Sequence, residues 1–115
     1  MDIKDVQATI PVALQKLHDQ GHDRAYFDQL CLQVSLHDTD YLAKREWRRG
    51  VLNLVGIDYP TVPDHTFHPG VSKMYRSLDV LEKAGVIVGE FDEPTPDVEH
   101  PRRGYRLAEP APSAE

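Results

Sequence analysis

The chain has 115 residues, enough for one domain with one hydrophobic core, and 40% of them are apolar, an ordinary share for a folded domain. No apolar run is long enough to span a bilayer, and Met1-Asp2-Ile3-Lys4-Asp5 does not open a secretory signal; Cys31 stands alone, so no intrachain disulfide forms and a reducing, cytoplasmic location is expected. The net charge of −6 weighs against a nucleic-acid binder, but it is unevenly spread: residues 1–40 sum to −4, 41–56 to +3, 57–84 to −1 and 85–115 to −4.

In chain order, Val6, Ile10, Ala13, Leu14 and Leu17 recur at helical spacing and predict a first helix over 4–20, with Gly21 as its stop. Pro11 leaves two readings: the helix bends there, or Thr9 caps a shorter helix with Pro11 in its first turn. A second helix is predicted over 24–36, capped by Asp23, with Phe27, Leu30, Cys31 and Val34 inward. A third is predicted over 40–55, capped by Thr39 or Asp40, with Trp47, Val51 and Leu54 on one side and Gly56 at its end. Residues 57–68, with Pro60 and Pro63, read as a long connection holding at most a short strand. The fourth helix is predicted to start between 69 and 72 and to end at Gly85, with Val71, Met74, Tyr75, Leu78 and Leu81 inward.

The period then changes. Residues 86–91 and 103–108 read as strands, with Tyr105 and Leu107 on one face. Between them, Asp92 to Pro101 holds three prolines and four acids, which makes the pair a hairpin with a long acidic tip. The expected fold class is therefore α+β and mostly helical. Residues 1–108 are expected to form one winged helix-turn-helix domain: extra N-terminal helices over 1–56, a recognition helix over 69–85 and a two-stranded wing over 86–108, followed by a disordered tail over 109–115.

The run Tyr75-Arg76-Ser77-Leu78-Asp79-Val80-Leu81-Glu82-Lys83-Ala84-Gly85-Val86-Ile87 resembles the recognition helix and first wing strand of PadR-like winged-helix transcriptional regulators. The return strand Arg102-Arg103-Gly104-Tyr105-Arg106-Leu107 is similar to the basic, then Tyr-x-Leu, strand of that family's wing. Together the two segments cover about a sixth of the chain. The resemblance implies double-stranded DNA as partner, regulation of transcription, most simply as a repressor, and the capacity to bind an effector.

The helical wheel turns Ser72, Lys73, Arg76, Val80 and Lys83 outward from the fourth helix, where Lys73 and Arg76 can reach phosphates or guanine edges. Arg45, Arg48 and Arg49 share a face of the third helix opposite Trp47 and Val51, as a phosphate-binding stripe or as a solvated face paired with acids. Arg102, Arg103 and Arg106 are the wing's candidate contacts, and strand alternation prevents all three from pointing one way. A homodimer is expected. The stripe from Val6 to Leu17 is the candidate contact, or else it packs inside the monomer.

Six histidines include His18 and His22 at i, i+4 and His65 and His68 beside Asp64, but no second cluster completes a tetrahedral site, and Asp38 and Asp40 read as helix caps. Neither a metal, a cofactor nor catalysis is expected. Two further functions compete with DNA binding. One is a winged-helix module, such as an accessory or viral-type inhibitor, that binds a protein through its acidic wing tip. The other is a small-molecule sensor with Tyr26, Phe27 and Trp47 around a pocket, residues that core packing also explains.

Overall fold

A computed structural model describes residues 1–58, 66–93, 96 and 101–109. Among the described residues, four helices and a small three-stranded antiparallel sheet make the fold α+β and mostly helical, as the patterning predicts. The inner parts of the long connection and of the hairpin tip, and the tail after Glu109, lie outside the described residues.

Helix α1 spans Ile3–Asp19. Asp2 caps it, accepting from the Asp5 N–H at 2.9 Å, while Asp5 accepts from the Asp2 N–H at 3.3 Å. The helix runs through Pro11 without ending, so Thr9 caps nothing. Val6, Ile10, Ala13, Leu14 and Leu17 are all buried, and each large aliphatic side chain contributes about 1.5–3 kcal/mol on burial, which outweighs the roughly 3 kcal/mol that an internal proline costs. The stripe therefore lies inside the monomer and is not a dimer contact.

Residues Ala25–Tyr26 form strand β1, not the first turn of a helix. Helix α2, Phe27–Leu36, begins only after them. Its first turn is closed by Gln29, whose side chain accepts from the Tyr26 N–H at 3.0 Å, so Asp23 has no capping role. Helix α3 spans Thr39–Leu54 and is capped by Asp38, which accepts from the Tyr41 N–H at 3.1 Å, not by Thr39 or Asp40.

The face of α3 that turns inward is opposite to the one predicted. Arg45 is 6% exposed, while Trp47 is 72% and Leu54 88% exposed. Tyr41, Leu42 and Leu52 supply a second, half-buried apolar stripe on the Arg45 side, and that stripe is the one laid toward α2.

An irregular turn over Thr66–Gly70 leads into helix α4, Val71–Lys83. The Ser35 hydroxyl lies 2.7 Å from the His68 carbonyl and ties this turn to α2. Met74, Leu78 and Leu81 are buried as predicted, whereas Tyr75 is half-exposed. After α4 the chain reverses at Gly85, whose φ of 76° is the left-handed conformation that glycine adopts freely, and Val86 N–H donates back to the Leu81 carbonyl at 3.0 Å.

Strand β2, Ile87–Phe91, pairs with β3, Arg103–Leu107, with Gly89 opposite Tyr105. Strand β1 pairs with the other edge of β3, giving the order β1-β3-β2. Ala25, Ile87 and Tyr105 carry the sheet's inner face into the core shared by α1, α2 and α4. Among the described residues, no helix is long and apolar enough to cross a membrane.

Candidate nucleic-acid interface

Helix α4 buries Met74, Leu78 and Leu81 and so must present the opposite face outward, and the hairpin stands beside it. Between them lies a crevice of about 370 Å³ lined by Phe27, Tyr75, Arg102, Arg103 and Tyr105. Phe27 and Tyr75 stack with their centroids 4.4 Å apart and their planes 11° from parallel, which holds Tyr75 at the rim.

The outward residues of α4 sit where the helical wheel puts them. Ser72, Lys73, Arg76 and Lys83 are all exposed. Lys73 Nζ donates to the Met1 carbonyl at 2.6 Å, and Lys83 pairs with Asp79 at 2.9 Å on its own helix. Among the described residues Arg76 has no ion pair or hydrogen bond, so its guanidinium is the free cation of this face.

Each hairpin arginine goes to a different acid. Arg102 pairs with Asp28 on α2 at 2.7 Å and lies 4.2 Å above the Tyr26 ring. Arg103 crosses β2 to pair with Glu82 on α4. It can do so because position 89 is glycine: a Cβ there would stand 2.6 Å from the Arg103 Nε. Arg106 pairs with Glu90 across the hairpin at 2.9 Å.

Two residues stand at the root of the hairpin where the sequence reading places neither. Arg24 pairs with Asp92 at 3.2 Å, and the Tyr26 hydroxyl donates to the same carboxylate at 2.8 Å. That hydrogen bond, followed by burial, holds the Tyr26 hydroxyl above its usual pKa. Asp92 is thus folded back onto the sheet and is not a free charge of the tip. The signal for Arg24 and Tyr26 was the run Arg24-Ala25-Tyr26-Phe27, which suits a strand as well as a helix start.

The arginines of α3 do not form the predicted stripe. Arg45 is buried, Arg49 pairs with Glu46 at 2.6 Å, and Arg48 is exposed. None of the three lines the crevice. The aromatic pocket expected around Tyr26, Phe27 and Trp47 does not form either, because Trp47 stands exposed on α3 while Tyr26 and Phe27 sit at the hairpin.

A larger cavity, about 590 Å³, opens where α1, α3 and the turn before α4 meet, with Asp5, His37, Asp38, Tyr41 and His68 among its walls. His68 stacks on Tyr41 with centroids 3.6 Å apart, and its Nε2 is 2.9 Å from Asp38 Oδ2, an ion-pair distance without hydrogen-bond alignment. Burial lowers the His68 pKa despite the opposing pull of Asp38. Burial raises that of Asp38, but the Tyr41 N–H and the His68 charge outweigh it and the net shift is downward. Among the described residues no group of three or more His, Cys, Asp or Glu side chains could hold a metal ion; His65 and Asp64 lie outside them.

No protein-family model, no curated protein and no solved structure matches this chain.

Proposed function

We propose that this chain is a winged-helix domain that binds double-stranded DNA, with α4 in the major groove and the β2–β3 hairpin on the backbone, and that it regulates transcription in the manner of the PadR-like proteins it resembles. The order α1, β1, α2, α4, β2, β3 with the sheet β1-β3-β2 supports the fold reading. In that reading α2 and α4 are the helix-turn-helix pair, and α3 lies between them in the chain, where the usual short turn would be.

The observation that carries the functional reading is the outer face of α4. Ser72, Lys73 and Arg76 lie uncovered near its N-terminus, Arg76 has no partner among the described residues, and two hairpin arginines line the adjoining crevice. An arginine at this place can bond guanine O6 and N7 together. The ion pairs of Arg102 and Arg103 are exposed enough to be worth at most about 1 kcal/mol each, so a phosphate oxygen can replace the carboxylate. Acidic residues elsewhere then keep the other faces off the duplex.

The test is selection from a random duplex pool, with sequencing of the bound fraction and a parallel selection with Arg76→Ala. Enriched sites that vanish with the variant support a sequence-specific regulator. Salt-sensitive binding without enrichment supports a non-specific binder. A second reading, a winged-helix module that binds protein, is favoured by the carboxylate partner of every hairpin arginine. Absence of duplex binding even at low salt selects it.

A further inference from the structure

The inner face of the sheet outruns the core. Strand alternation sets Ile87, Gly89 and Phe91 of β2 on one face, with Leu107, Tyr105 and Arg103 of β3 opposite them. Ile87 and Tyr105 are buried against the helices, but Phe91, at the far end of the same face, is 66% exposed. Beside it lies the guanidinium of Arg103, whose carbon is 5.6 Å from the Phe91 ring centroid and 5.5 Å from that of Tyr105. Tyr75 on α4 is a second uncovered ring. One of its faces is stacked on Phe27, and with 52% of the residue exposed the other is open. It shares the crevice with Arg102 and Arg103.

A double helix has no use for open rings here, because its bases are stacked on one another and offer a protein only their edges and the phosphates. An unpaired base offers its face, whatever its identity. We propose that the α4–hairpin face also holds a single-stranded stretch of nucleic acid, with unstacked bases on Tyr75 and Phe91 and the phosphates of the strand on Arg102 and Arg103. Chemistry decides the occupant. A nucleotide strand carries an aromatic face and a negative charge in every repeat, which matches an open ring beside an arginine at two places. The crevice, about 370 Å³, lies within the range of about 300–1,000 Å³ that holds one small ligand, and so has room for a splayed nucleotide. The inference rests on reading this face as a nucleic-acid interface, and adds the strand state of the partner.

The full chain is titrated against a fluorescein-labelled oligothymidylate of about ten nucleotides and, separately, against a blunt duplex, both at about 50 mM salt. The wild type binds the single strand. Tyr75→Leu and Phe91→Leu each weaken that binding by about tenfold, while Tyr75→Phe, which keeps the ring, stays within about twofold of the wild type. Circular dichroism is unchanged throughout, and duplex affinity does not follow the loss. Irradiation of an oligonucleotide carrying 5-iodouracil attaches it to Tyr75 or Phe91, located by peptide mass spectrometry; Trp47, exposed on α3, is the control ring. A wild type that binds the duplex but not the single strand overturns this inference and leaves the duplex reading intact. One that binds the single strand alone does the reverse, and one that binds neither ends both. Single-strand binding that both leucine variants retain, an equal loss on the duplex in Tyr75→Leu, or attachment at Trp47 instead also overturns it.

Discussion

Arg103 on β3 and Glu82 on α4 form an ion pair that ties the hairpin to the helix beside it, passing over Gly89 on the intervening strand. The pair links the two elements, and in the proposed DNA-binding mode it occupies the cation that a phosphate would use. Glu82→Gln is expected to change stability by less than about 1 kcal/mol. The same change frees Arg103 and raises duplex affinity about 2–5-fold, with a steeper salt dependence. Anisotropy titrations at two salt concentrations beside a urea melt measure both, and unchanged affinity would separate Arg103 from DNA binding.

Ser77 is fully buried on the inner face of α4, and its hydroxyl has no hydrogen-bond partner among the described residues. An unsatisfied buried hydroxyl costs about 1–3 kcal/mol, and alanine is the better helix former. Ser77→Ala is therefore expected to stabilise the fold by about 1 kcal/mol in denaturant unfolding. Destabilisation would mean that the hydroxyl is bonded in solution.

His68 gives the fold an acid-side sensitivity. Its folded pKa lies below the ordinary 6.5 because of burial, so the unfolded chain takes the proton more readily as the pH falls through that region. The stability contributed by neutral His68 is complete above about pH 6.5 and declines below it. The thermal midpoint is expected to be lower at about pH 5.5 than at about pH 7.5, with the difference reduced in His68→Gln. An equal difference in the variant would place the effect elsewhere.

Much of this architecture was legible in the residue order. The stripes of α1 and α4 have one apolar face each, so the helical period alone decides which side is inward. Helix α3 has two, one through Trp47, Val51 and Leu54 and one through Tyr41, Leu42 and Leu52, and periodicity cannot choose between them. The side toward α2 won, carrying Arg45 inward and leaving Trp47 outside. Strand β1 was missed because two residues, Ala25–Tyr26, carry no period; they are a strand only because β3, about eighty residues away, offers an edge. The outward residues of α4 followed directly from its wheel. The carboxylate partners of the hairpin arginines did not, since Asp28 and Glu82 are distant in sequence from Arg102 and Arg103.

The measurement that bears most directly on the central claim is the salt dependence of duplex binding by the wild-type chain and by Arg76→Ala, read by fluorescence anisotropy between about 50 and 200 mM salt. Wild-type affinity is expected to fall steeply with salt, and Arg76→Ala to cost about 1–3 kcal/mol on an enriched site. Binding that is absent at the lowest salt, or that Arg76→Ala leaves untouched, would contradict that claim.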